Sequence, residues 1–78
     1  MSKILLTKLK KGVKAKVVEI AGGALVNRRL SALGLRTGVS IVKLSTFVLK
    51  GPVTVKVGST TIALGRSMAE KVVVEVGP

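Results

Sequence analysis

The stretch from Val53 to Leu64 leaves a folding chain few options. Val53, Val55 and Val57 alternate with Thr54 and Lys56, and beyond Gly58-Ser59 the residues Thr60, Ile62 and Leu64 alternate with Thr61 and Ala63. A period of two sends successive side chains to opposite faces of a strand, and a two-residue Gly-Ser connection suits a type II′ turn. The segment therefore predicts a β-hairpin. The same period runs earlier, where Val13, Ala15 and Val17 alternate with Lys14, Lys16 and Val18: a strand with an apolar face inward and a cationic face outward. Lysines two positions apart on one face sit about 6.6 Å apart, and their repulsion in water is only about 0.6 kcal/mol before salt screening. Val39 to Leu44 is β-branched enough for another strand, and Val72 to Val76 for a last one.

Between the first two strands the period changes. Val26, Leu30 and Leu33 fall at i, i+4 and i+7, an apolar stripe of a short helix after Gly22-Gly23, with Arg28, Arg29 and Ser31 on other faces. Asn27 is an alternative cap for a shorter helix. Gly34 suits the left-handed position that ends a helix, and Leu35 then falls where the Schellman motif packs it against Leu30. Gly65 to Glu70 leaves room for one helical turn before the last strand. The expectation is a mainly β fold of five short strands, with one short helix between strands one and two, bent into a sheet that closes on itself and removes its edges. With 78 residues, 47% of them apolar, residues 1–78 read as a single domain.

The inventory of reactive groups is short. The chain has no His, Cys, Asp, Tyr or Trp, and its only carboxylate side chains are Glu19, Glu70 and Glu75. General acid–base work falls mostly to His or to a perturbed carboxylate or Lys, and Ser and Thr have no activating base here, so an enzyme is not expected and no catalytic residue is assigned. Glu19 and Glu75 read as solvated strand residues near lysines. No stretch matches the phosphate-loop spacing, so no nucleotide site or other cofactor is expected. Without thiolates, imidazoles or clustered carboxylates no metal ligands are assigned either, and Met68 reads as core filler. Zero Cys favours a reducing compartment, and the apolar run Ile4-Leu5-Leu6 is too short for a signal peptide or a span. A soluble, cytoplasmic protein is the expectation.

Function then rests on contact. Fourteen Lys and Arg stand against three Glu, a formal charge of +11, with six lysines in the first sixteen residues. Such a surface attracts nucleic acid, an anionic membrane leaflet or an acidic protein face. Single-strand binders stack bases on aromatic residues, and Phe47 is the only one, which leaves a sequence-blind phosphate mode. Protein docking has more support. Phe47-Val48-Leu49, before the Gly51-Pro52 turn, is an apolar loop that either folds back as a lid or anchors a partner. The candidate partner-binding residues are Phe47 and Leu49 as anchors, with Lys14, Lys16, Arg28 and Arg29 steering toward acid.

Two resemblances bear on this. Lys10-Lys11-Gly12-Val13 through Val17 to Gly22-Gly23 resembles the pattern of KOW-type barrels, which implies the alternative of a nucleic-acid-binding SH3-like barrel. A fuller one runs from about Leu5 to Glu75. Leu6 to Leu9 with Gly12, Val17-Val18-Glu19-Ile20, Arg29-Leu30, Leu33-Gly34-Leu35 with Gly38-Val39, Gly51-Pro52-Val53, Ile62-Ala63-Leu64, Ala69 and Val72-Val73-Val74 together resemble the FeoA domain family. That resemblance implies an SH3-like barrel, transition metal ion binding at the level of the family, and a cytoplasmic accessory role with the ferrous iron transporter FeoB as partner. It also implies kinship of fold with the C-terminal barrel of iron-dependent repressors. Leu30, Leu33, Gly34, Leu35, Gly38, Ile62, Leu64 and Ala69 would be fold residues, and Gly51 stands before Pro52 where the family tends to carry an acid.

Overall fold

The computed structural model describes residues 2–44 and 52–77. Along the chain run β1 (Ser2–Leu5), a 3₁₀ turn (Leu6–Lys8), β2 (Lys14–Ile20), α1 (Gly23–Ala32), β3 (Ser40–Lys43), β4 (Val53–Val57), β5 (Thr60–Leu64), α2 (Arg66–Ala69) and β6 (Val72–Val76). The strands form one antiparallel sheet in the order β1-β6-β2-β3-β4-β5. The mainly β expectation holds, with one strand more than the five expected. Ser2–Leu5 has no alternation to announce it; it becomes a strand because β6 offers it an edge, with Lys3 opposite Glu75 and Ile4 opposite Val74. The two ends of the order are β1 and β5, and no ladder joins them among the described residues. No helix among these residues is long and apolar enough to cross a membrane.

The hairpin forms as its alternation requires, with Val57 opposite Thr60 and Val53 opposite Leu64. The strand expected over Val13–Val18 runs on to Ile20 by way of a β-bulge. Val17 pairs with Val74 and Glu19 with Val73, so Val18 is the extra residue. The bulge resets the pleat, which lets Val17 and Ile20 both point inward while Glu19 stays exposed. Inside, Ala15, Val17, Ile41, Val53, Val55, Ile62, Leu64, Val72 and Val74 meet Leu6, Leu9, Leu30, Leu35 and Ala69. Met68 packs half-buried against this core, as its sequence position suggested.

The helix stop follows the predicted motif. Gly34 takes φ +93°, its N–H donates to the Ser31 carbonyl at 2.9 Å, and the Leu35 N–H donates to the Leu30 carbonyl at 2.9 Å. Leu30 and Leu35 are both fully buried, whereas Leu33, the third residue of the predicted stripe, is 47% exposed. Asn27 does not cap a shorter helix. It lies inside α1, and its Nδ2 donates to the Gly23 carbonyl at 2.8 Å and to the Ile20 carbonyl at 3.2 Å, tying the first turn to the end of β2. The residue before α1, Gly22, has φ +102°, and a Cβ there would lie 2.8 Å from Val26 Cγ2.

Among the described residues one buried side chain breaks the aliphatic pattern. Lys43 is 1% exposed, on the same inward face of β3 as Ile41. Its Nζ donates to the carbonyls of Leu9 at 2.7 Å, Leu6 at 3.2 Å and Thr7 at 3.2 Å. An ammonium has three donors and no acceptor, so three converging carbonyls use its capacity in full. The same residue's carbonyl accepts the Gly12 N–H at 2.7 Å. Lys43 thus holds the whole segment between β1 and β2 onto the sheet. Burial strips water from the ammonium and pushes its pKa below the usual 10.5.

Lys43→Met keeps the length of the side chain and removes the donors. The Leu6 carbonyl retains the Leu9 N–H, but those of Thr7 and Leu9 lose the ammonium, and the variant is expected to be about 1–3 kcal/mol less stable in urea unfolding. Because the Lys43 pKa is lower in the folded state, the unfolded chain binds more protons between that value and 10.5, and stability gains with pH across this window. Lys43→Met removes this contribution, so the difference in stability between the two proteins widens as pH rises toward 10.5. Gly22→Ala meets both a left-handed backbone and Val26; a loss of about 1–2 kcal/mol is expected, read as a Tm lower by roughly 5–15 °C.

Candidate partner-binding surface

With the aliphatic residues turned inward, the outward face of the sheet is left to what alternates with them. In β2 these are Lys14 and Lys16, both exposed. Strand register decides their neighbours. Lys14 lies opposite Val42 of β3, Val42 opposite Lys56 of β4, and Lys56 opposite Thr61 of β5. The next row runs from Lys3 of β1 through Glu75 of β6 and Lys16 of β2 to Ser40 of β3. Adjacent strands are about 4.8 Å apart, so Lys14 and Lys56 stand about 10 Å apart across Val42.

Two shallow grooves cross this face. One, of about 460 Å³, includes Lys14, Lys16, Ser40, Glu75 and Val76 in its lining. The other, of about 350 Å³, includes Lys14, Ser40, Val42, Lys56 and Gly58. They share Lys14 and Ser40, so the two adjoin along one lysine-lined stretch. A single carboxylate interrupts it: Glu75 lies in register with Lys3 on one side and Lys16 on the other. What this surface offers a partner is positive potential over a partly apolar floor, suited to attracting carboxylates or phosphates.

The sequence-predicted residues separate into three groups. Lys14 and Lys16 share one face, as their spacing required. Arg28 and Arg29 are exposed on α1 and line neither groove, so the structure does not join them to the lysine pair. Phe47 and Leu49 lie outside the described residues. Lys56 belongs with Lys14 and was not singled out from the sequence, although its outward place in the hairpin alternation was legible; the missing information was that β3 sets β4 beside β2. Among the described residues no three potential metal-ligating His, Cys, Asp or Glu side chains gather. An ion pair between Arg66 Nε and Glu70 Oε2 at 3.6 Å is half exposed and spans the single turn of α2 to the residue that ends it, so it adds little beyond local order.

Against known proteins, the family model of the FeoA domain matches residues 4–76. A crystal structure named iron uptake regulatory protein (FeoA) superposes with a TM-score of 0.88 at 31% identity, over 95% of this chain and 97% of that one. The solution structure of the FeoA protein from Chlorobium tepidum gives 0.84 at 31% identity, over 96% of this chain and 71% of that one. A manganese-dependent transcriptional repressor gives 0.87 over 96% of this chain and 42% of that one, and at 20% identity the likeness is one of fold. No curated protein matches in sequence.

Cross-strand pairs of opposite charge each contribute about 0.2–1 kcal/mol. Glu75→Gln removes the carboxylate in register with Lys3 and Lys16 and is expected to lower stability by about 0.5 kcal/mol at low ionic strength, with the loss shrinking as salt screens the lysines. Chemical denaturation at two salt concentrations measures it.

Proposed function

The chain belongs to the FeoA domain family, which is associated with ferrous iron transport, and on that premise we propose that it is a non-enzymatic accessory protein that docks on the cytosolic region of the transporter FeoB and modulates iron uptake. The observation that carries this reading is the family match over residues 4–76, nearly the whole chain. The residue inventory supports a role by contact: with no His, Cys or Asp, the chain has little to offer catalysis. In this reading the protein works in the cytoplasm and meets the membrane through its partner. Ferrous iron is the transporter's cargo, and this chain acts on the protein that moves it.

Charge and apolar contact divide the work. Lys14 and Lys16, with Lys56 beside them, raise the rate of encounter with an acidic surface, while Arg28 and Arg29 widen the attraction from α1. Phe47 and Leu49 anchor the complex once formed, since buried aromatic and aliphatic side chains dominate binding energy.

Co-purification with full-length transporter tests the proposal. Lys14→Glu with Lys16→Glu is expected to slow association and remove much of its salt dependence; Phe47→Ala with Leu49→Ala is expected to weaken the complex about tenfold or more, mainly through faster dissociation. Undiminished binding by the second variant removes the loop from the account, and failure of the unaltered protein to bind the transporter ends it. Retention of duplex nucleic acid with a log–log salt slope near −5, as for about six neutralised phosphates, would favour the KOW-like alternative instead.

A further inference from the structure

A third groove, of about 300 Å³, opens beside the edge strand β1; it meets the first groove at Val76 but is lined by neither Lys16 nor Lys56. Its lining includes Ile4, Leu9, Val13 and Val76, with the exposed Lys8 and Lys10. Leu9 belongs to the core, and Ile4, Val13 and Val76 are half-buried against it, so the floor is apolar and continuous with the interior. Every ionisable side chain that lines it is a cation.

The walls are fixed before any ligand arrives. The Leu9 N–H donates to the Leu6 carbonyl at 3.1 Å, the Val13 N–H to the Lys10 carbonyl at 3.2 Å, and the Gly12 N–H to the Lys43 carbonyl at 2.7 Å. Beneath them the Lys43 ammonium holds the Leu9 carbonyl at 2.7 Å. A pocket pinned in this way costs a ligand little ordering.

We propose that this groove binds an acidic peptide segment of a partner protein, seating one large aliphatic side chain on Ile4, Leu9, Val13 and Val76 while flanking carboxylates meet Lys8 and Lys10. The chemistry selects this occupant over other anions. A nucleic-acid backbone has no use for an apolar floor, and the lining holds no aromatic ring on which a base could stack. A membrane surface is entered by protruding apolar side chains, whereas here they are recessed and the cations exposed. The groove adjoins the lysine face at Val76 but carries its own lysines, Lys8 and Lys10, and its preference for such a segment holds whether or not the transporter supplies it.

Two synthetic acidic peptides, identical except for a central Leu or Ser, provide the test by fluorescence anisotropy at about 0.15 M salt, where bulk charge attraction is screened beyond roughly 8 Å. The Leu peptide is expected to bind about tenfold tighter or better. Lys8→Glu with Lys10→Glu is expected to weaken it about tenfold, and Lys14→Glu with Lys16→Glu by less than about threefold. All four lysines are exposed, so circular dichroism should show both variants folded. Amide shifts on titration should centre on Ile4, Leu9, Val13 and Val76. Equal binding of the two peptides, or shifts centred on Lys14 and Lys16, would overturn the proposal. So would tighter retention on phosphatidylglycerol vesicles than by the peptide, lost in the same Lys8 and Lys10 variant.

Discussion

The Lys43 ammonium and its three carbonyls fix how the amino-terminal third of the chain meets the rest. Leu6, Thr7 and Leu9 belong to a turn whose own hydrogen bonding is slight, and 3₁₀ geometry satisfies few of its backbone groups. A buried cation whose donors all point at that turn solves two problems together: the carbonyls find partners, and the charge finds enough oxygen to replace water. An aliphatic residue at this position would pack as well and leave the turn without its tie to β3. With the tie in place, Leu6 and Leu9 reach the core, β1 falls alongside β6, and the peptide between Lys10 and Lys14 is held against the sheet.

Much of this fold was legible in the sequence. The hairpin, the helix stop at Gly34 and the last strand are written in local patterns: period two, a glycine at a left-handed position, a run of valines. What was not legible depends on partners far along the chain. Ser2–Leu5 is a strand because β6 lies open beside it, and no residue within those four announces that. Val18 is a bulge because β6 pairs with β2 in two registers around it. Lys43 shows how far local rules reach: its place two residues after Ile41 on a strand predicts an inward side chain, but nothing local says that carbonyls wait for it there. The candidate surface divides in the same way. The outward direction of Lys14 and Lys16 follows from alternation, while their grouping with Lys56 and Ser40 needs the strand order.

The charge distribution also takes on meaning only in three dimensions. Read linearly, the lysines crowd the amino end. Folded, they part between two surfaces of different character: a broad, shallow one on the sheet, where the cations lie over strand backbone with Glu75 among them, and a smaller recess by the 3₁₀ turn where an apolar floor is included. The first is suited to attraction at a distance and the second to holding one side chain. A +11 protein would otherwise be expected to bind anions without discrimination, and recessed apolar area is what can make such binding selective.

The sheet order carries one more consequence. Among the described residues β1, the first strand of this sheet in chain order, has a single ladder partner, and that partner, β6, comes last in the same order. Throughout synthesis the amino-terminal segment must wait, unpaired, until β6 emerges. The hairpin of β4 and β5 needs no such delay, because its two strands are translated back to back. Assembly of this sheet is therefore tied to synthesis of β6, and chains that stop short of that strand cannot complete it.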